Sequence, residues 1–203
     1  FNNPCISKLE LLEAKQLGKS KDFFGKLNIC FVGRLEKEKG FSNLVEALIA
    51  YNDISWINDI HCVGDGEQRK VYSSQLESLP ISFIFHGFIN REALNKIYHK
   101  SHLIILPSIS EGFPKVLIEA ASFGCIPVIP NISSISMYIN EKNNNGILLS
   151  GTQPQEIIVT LQKIKNIKEK LPEISAQTIE YAKNYSYEKN NENIENYILH
   201  GNN

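Results

Sequence analysis

Long apolar runs are missing from this chain of 203 residues. None approaches the ~18 residues of a membrane-spanning helix. A charge excess is missing too: 21 Lys and Arg against 22 Asp and Glu leave a formal net charge of −1, so no global field favours nucleic acid or acidic lipid. Cys-x-x-Cys pairs are absent. Cys5, Cys30, Cys62 and Cys125 are scattered, and the last three lie in or beside apolar runs. They read as small core residues in a reducing compartment, which excludes a disulfide framework and a cysteine metal site. No internal repeat is visible. Phe1-Asn2-Asn3-Pro4 is not a signal peptide; it reads as an interior start, because a full-length chain usually begins with Met. What is present is an ordinary globular composition, 42% apolar and 21% charged, with enough length for one substantial core.

The densest pattern runs from Leu103 to Pro130. Leu103 to Leu106 is a short apolar run of the kind buried on both faces of a sheet. Val116, Leu117, Ala120 and Ala121 follow at helical spacing, and Gly124 stands where a helix end needs positive φ. Ile126 to Ile129 is the next buried strand. Pro114 suits the first helical position, which makes Phe113 the N-cap, and Phe has no capping oxygen. The N–H groups from Lys115 onward thus lack the usual side-chain acceptor, and such a terminus attracts anions. Glu111 and Glu119 bracket it with seven residues between them. The apolar context Val-Leu-Ile-Glu-Ala-Ala argues that Glu119 is buried, and a buried carboxylate needs a partner.

The rest of the chain alternates strand and helix. Apolar strands are expected at 29–32, 56–63 and 81–85, with a last one at 146–149. Helices are expected at 8–16, from Phe41, at 67–79, at 91–100, and near 134–140. Past Thr152 the pattern turns helical, at 154–171, 173–183 and 187–199. The first of these is amphipathic, with Lys163, Lys165, Lys168 and Lys170 on its polar face, and is expected to pack on the sheet. Alternation of this kind predicts an α/β fold: a doubly wound, six-stranded parallel sheet of order 3-2-1-4-5-6. Strands one and four are then neighbours at the switch point. The loops at their ends, Gly33 to Gly40 and Pro107 to Pro114, are expected to meet in one crevice.

The first of those loops has phosphate-binding chemistry. Arg34 carries a planar five-donor fork suited to phosphate oxygens. Lys39 adds a point charge before the next helix, and Gly33 and Gly40 permit tight backbone. The competing reading is a solvated loop of alternating charge, Glu36-Lys37-Glu38-Lys39. Val63-Gly64-Asp65-Gly66 starts like a dinucleotide fingerprint, but Arg69 stands where its third Gly belongs. His61, His99 and His102 read as structural or exposed.

Leu106-Pro107-Ser108-x-x-Glu111-Gly112-Phe113-Pro114, with Glu119-Ala120 and Gly124-x-x-Pro127-Val128 behind it, resembles the signature of glycosyltransferase family 4. The resemblance runs from Asn3-Pro4 to the last helix. It implies the C-terminal half of a retaining, two-domain GT-B enzyme. Residues 1–27 would be the linker and opening helix, 28–183 the Rossmann-like donor domain, and 184–203 a helix and tail crossing back to the other domain. It implies that a nucleoside-diphosphate sugar binds Gly33, Arg34, Lys39, Glu111, Gly112, Phe113, Pro114, Lys115, Val116, Leu117 and Glu119. Arg34 and Lys39 would hold the phosphates, Glu119 the ribose and Glu111 the transferred sugar, with Glu111, Arg34 and Lys39 closest to the chemistry. The base pocket would lie near His86 to Ile89. No cofactor and no metal are implied. The partners are the donor, a glycan or lipid-linked acceptor, and an N-terminal acceptor domain that precedes this chain. The location is cytoplasmic, with membrane contact at most peripheral. The family's Gly-Gly turn and Glu after strand five are replaced by Asn131-Ile132-Ser133-Ser134-Ile135-Ser136-Met137-Tyr138. Other classes remain open from the residues alone: a glycosidase using Glu111 and Glu119, a non-catalytic nucleotide-sugar module, or a nucleotide-sugar epimerase.

Overall fold

The computed structural model describes residues 4–18, 20–109, 115–132, 139 and 142–200. Its sheet has strands β1 (Leu27–Val32), β2 (Ile57–Val63), β3 (Ser82–Gly87), β4 (Leu103–Ile105), β5 (Ile126–Pro130) and β6 (Ile147–Leu149). They lie in the order β3-β2-β1-β4-β5-β6, and every neighbouring pair is parallel. This is the doubly wound sheet expected from the pattern. The central strands β4 and β5 are buried at every position, whereas β3, at the edge, mixes exposed and half-buried residues. Continuous apolar runs are what a strand covered on both faces requires. All four cysteines are free and buried, Cys5 included.

The helices are α1 (Lys8–Gly18), α2 (Phe41–Ala50), α3 (Arg69–Leu76), α4 (Arg91–Lys100), α5 (Lys115–Ser122), α6 (Pro154–Asn166), α7 (Leu171–Ala182) and α8 (Tyr187–His200). The single helix expected over 154–171 is broken. It stops at Asn166, passes through a 3₁₀ turn at Lys168–Lys170, and restarts at Leu171 with Pro172 in the first turn. Pro172 cannot donate to the ladder and clashes with a preceding helical turn, so the chain begins a new helix there. α6 buries Ile157, Leu161 and Ile164 and packs chiefly on α2. Its polar face is tied down through Lys165, which pairs with Asp53. The helix or turn expected near 134–140 falls almost wholly outside the described residues. Among the described residues no helix is long and apolar enough to cross a membrane.

The segment before β1 is fastened to the amino ends of the strands by two polar side chains. Lys21 donates its ammonium to the carbonyls of Tyr98, at 2.7 Å, and Ser101, at the C-terminus of α4, where the helix dipole favours a cation. His102 is held between backbones. Its Nδ1 accepts from the Asn28 N–H at 2.9 Å, and its Nε2 reaches the Asp22 carbonyl at 3.0 Å. Only the neutral ring can make both contacts. At the other end of the chain, α8 is mostly exposed. It joins the body through backbone bonds, Cys5 N–H to Tyr185 O and Tyr187 N–H to Ile6 O, both 3.0 Å.

Burial, reinforced by the Lys21 charge, pushes the His102 imidazole from 6.5 to about 4. The folded value lies below the unfolded one, so the neutral ring's contribution is complete above pH 6.5. It is lost as pH falls from 6.5 toward 4, by about 3 kcal/mol in all. His61 and His86, whose ring nitrogens lie 3.0 Å apart, are also lowered by burial and act in the same direction. Urea midpoints should therefore drop between pH 7 and 4.5. His102→Gln should be less stable at pH 7 and show a shallower decline. An unchanged slope would place the acid sensitivity elsewhere.

Candidate functional site at the switch point

The connections from β1 and β4 leave the sheet in opposite directions, which opens a crevice between their carboxyl ends. Past β1 the chain keeps contact with the β2 side: Gly33 N–H donates to Val63 O at 2.9 Å and Leu35 N–H to Asp65 O at 3.0 Å. Buried Leu35 anchors the loop. A 3₁₀ turn over Lys37–Lys39 follows, and Gly40 ends it at φ 71° before α2 begins. A Cβ built on Gly40 would lie 2.0 Å from the Pro107 carbonyl oxygen. Ile109 N–H donates to Glu38 O at 3.1 Å. The two loops expected to meet are in direct backbone contact.

Arg34 and Lys39 stand on the first loop. Arg34 is 63% exposed, and its Nη1 lies 3.1 Å from Glu36 Oε2; Lys39 is half-buried. From the second motif, Lys115, Val116 and Leu117 form the first turn of α5, with Lys115 exposed and Leu117 buried. Glu111, Gly112, Phe113 and Pro114 lie outside the described residues. A cleft of about 320 Å³ borders the first loop between Glu36, Glu38 and the side chains of Glu67 and Tyr72. Lys37 also lines it, so its wall carries both signs of charge. Among the described residues no group of three or more His, Cys, Asp or Glu could hold a metal.

Glu119 is buried, as its context required, at 8% exposure. Its partner was not legible in the sequence. Arg91 Nη1 lies 2.5 Å from Glu119 Oε1, and the Tyr98 hydroxyl is 3.5 Å from Oε2. The need of a buried carboxylate for a partner is thus met within the protein, and burial alone is no argument for a ligand there. Arg91 also faces Glu10 of α1 at 3.8 Å and the Cys5 carbonyl at 3.5 Å. Burial works against its charge, but the Glu119 carboxylate outweighs this and raises the guanidinium above its ordinary value. Burial, then the Glu119 charge, lifts the Cys5 thiol to about 12. A cation at the first position of a helix opposes the helix dipole. Arg91, directly after the Asn90 cap that accepts from Ala93 N–H at 2.9 Å, was the one available hint of an ion pair.

An open parallel sheet whose switch point brings the 33–40 loop against the Pro107–Ile109 segment defines a doubly wound α/β domain. Residues 13–185 match the family described as glycosyl transferases group 1, and the chain belongs to that family. It is 35% identical over 112 residues to a 2-deoxystreptamine N-acetyl-D-glucosaminyltransferase of Niallia circulans, covering 53% of this chain and 28% of that one. It is 28% identical over 163 residues to an uncharacterized glycosyltransferase of Haemophilus influenzae, covering 79% of this chain and 46% of the relative. This chain thus spans less than half the length of either relative. Among solved structures, the C-terminal domain of a group 1 glycosyl transferase from Francisella tularensis superposes with TM-score 0.69 at 20% identity, over 91% of this chain and 96% of that one. Anabaena HepE in complex with UDP superposes with TM-score 0.70 at 20% identity, over 95% and 53%. These likenesses agree with the GT-B C-terminal fold.

The Gly40–Pro107 approach yields a test. An alanine at position 40 must adopt left-handed backbone and push the Pro107 peptide away. Gly40→Ala should cost at least about 1 kcal/mol from the backbone alone, with a further loss from separating the loops. Chemical denaturation measures it, and a variant as stable as the parent would refute the contact.

Proposed function

We propose that this chain is the donor-binding half of a retaining glycosyltransferase of the family 4 type. The whole enzyme would move a sugar from a nucleoside-diphosphate sugar to a glycan or lipid-linked acceptor. The observation that carries this reading is the backbone contact between the 33–40 loop and the Pro107–Ile109 segment, in a chain belonging to glycosyl transferases group 1. The UDP complex of HepE supports a nucleotide as ligand. In this reading Gly33 lets the backbone approach the ligand. Arg34, Lys39 and the N–H groups of Lys115, Val116 and Leu117 hold the diphosphate. Glu119 accepts from the ribose hydroxyls. Glu111, with the backbone of Gly112 and Phe113 behind Pro114, holds the transferred sugar.

The reaction needs no protein nucleophile. The bond from the anomeric carbon to the phosphate oxygen breaks, the acceptor oxygen bonds to the same face of that carbon, and the acceptor's proton passes to the leaving diphosphate. Arg34, Lys39 and the helix start stabilise the charge that develops on that leaving group. They supply the positive charge that a metal would otherwise give, so no cofactor enters the proposal. Residues 28–183 would form the donor domain and 1–27 the linker and opening helix. Residues 184–203 would cross to an acceptor domain earlier in the same polypeptide, and the enzyme would work on the cytoplasmic side of the membrane. Nothing in the described geometry favours the paired-glutamate glycosidase, since the Glu119 carboxylate is engaged by Arg91.

Calorimetry with UDP, GDP and ADP tests the site. At least one should bind in the presence of EDTA. Arg34→Ala and Lys39→Ala should each weaken it about tenfold to a hundredfold, the worth of a charge-assisted hydrogen bond. A strict need for a divalent ion, or full affinity in both variants, would sink the diphosphate site.

A radiolabelled-donor assay tests the division of labour. Positioning the acceptor supplies ~7–11 kcal/mol of barrier lowering, and that positioning is assigned to the other domain. This chain alone should bind donor and transfer no sugar, while a longer polypeptide with the preceding domain should transfer. Efficient transfer by the 203 residues alone would overturn the assignment.

A further inference from the structure

The hub formed by Arg91 lies outside every role assigned so far. Three elements converge on its guanidinium: Glu119 from α5 at 2.5 Å, Glu10 from α1 at 3.8 Å, and the Cys5 carbonyl from the opening segment at 3.5 Å. Glu10 is itself fixed, because its carboxylate caps α1, accepting from the Ser7 N–H at 2.9 Å. Arg91 Nε is buried and makes no hydrogen bond, so the fork is held by its charge partners rather than by a complete set of donors. The Arg91 side chain keeps 38% exposure while that of Glu119 keeps only 10%. Buried carboxylates need a paired cation, and the Tyr98 hydroxyl, also on α4, approaches Glu119 only to 3.5 Å.

We propose that Arg91 is a positioning residue for the donor nucleoside: it holds Glu119 charged and in one orientation, so that Glu119 can accept from a vicinal diol. The proposal rests on the ribose-binding reading of Glu119 given above. The carboxylate has acceptor capacity for both partners. A carboxylate offers about four lone-pair directions over two oxygens. Arg91 takes one on Oε1, and the 3.5 Å contact from Tyr98 leaves Oε2 almost unused. A diol can therefore add to the pair without displacing Arg91. Removing Arg91 would take away the cation that Glu119 and Glu10 share, and would leave the 3.5 Å contact from Tyr98 as the weaker restraint on the Glu119 side chain.

The test is a comparison of three ligands on the purified chain by calorimetry. The tightest binder among UDP, GDP and ADP is measured in its ribose form and in its 2′,3′-dideoxyribose form, beside inorganic pyrophosphate. The unaltered chain should prefer the ribose form by about tenfold to a hundredfold. Arg91→Met should lose most of that preference while binding pyrophosphate as before, which also shows that it is folded. Arg91→Lys keeps the charge but not the fork and should retain an intermediate preference. A merely structural Arg91 would weaken all three ligands together. If Arg91→Met keeps the full ribose preference, the inference fails and the ribose reading of Glu119 stands. If Arg91→Met loses pyrophosphate binding as well, Arg91→Lys decides: an undiminished preference in that variant overturns the inference. If Glu119→Gln leaves the preference intact, or the unaltered chain shows none, the ribose reading fails and the inference falls with it.

Discussion

The peptide of Pro107 passes so close to Gly40 that no side chain fits between them. That contact can form because β1 and β4 are neighbours in the sheet, so the segments leaving them start side by side. It can persist because Gly40 takes φ 71° without penalty. Everything proposed for the site depends on it. It fixes where the Lys37–Lys39 turn ends, where α2 begins, and how near the cationic loop stands to the chain leading into α5. The Ile109–Glu38 hydrogen bond then seals the same junction with backbone groups alone.

The fold was readable because each of its rules acts on short stretches. A strand covered on both faces must be a continuous apolar run, and β4, β5 and β1 from Ile29 onward are such runs. Helix ends carry local punctuation, as at Gly124, whose φ is 73°. The break after Asn166 was missed where two local rules competed: apolar periodicity continued through Leu171, and Pro172 overrode it. The meeting of the two loops was readable too, since it follows from strand order. The Arg91–Glu119 pair was not. It joins positions 28 apart in the sequence on two different helices, and nothing in periodicity or spacing says which cation a buried carboxylate will find. The fastening of residues 21–28 by Lys21 and His102 escaped for the same reason: both act through backbone carbonyls and N–H groups of distant segments.

The two ends of the sheet thus solve their polar problem differently. At the amino ends, three polar side chains are satisfied by backbone: Lys21 by the last carbonyls of α4, His102 by Asn28 and Asp22, and the Cys125 thiol by Tyr98 O and Ser101 O at 2.9 and 3.0 Å. Such contacts are fixed by the fold and leave nothing for a ligand to rearrange. At the carboxyl ends, the polar side chains pair with one another, Arg34 with Glu36 and Arg91 with Glu119 and Glu10. Of these, the Arg34 charge is paired through exposed side chains and can be redistributed when a new charge arrives. The amino end is built for stability, and its cost appears as acid sensitivity through His102. The carboxyl end keeps the Arg34 charge available.

The two ion pairs at that end are not equivalent, and burial separates them. Arg34 and Glu36 are 63% and 38% exposed; a pair in that setting contributes about 0–1 kcal/mol. A charge-assisted bond from Arg34 to a phosphate oxygen contributes about 1.5–3 kcal/mol, so the proposed diphosphate would outcompete Glu36 for the fork. The Glu119 side chain is only 10% exposed. Its partner Arg91 keeps 38% exposure, but displacing Arg91 would still leave a largely buried carboxylate without its cation, which costs more than parting an exposed pair. A ligand at Glu119 therefore has to add to the existing pair, while a ligand at Arg34 replaces it. The same crevice would hold its diphosphate by exchange and its ribose by addition, and only the second mode depends on a cation outside the two sequence motifs.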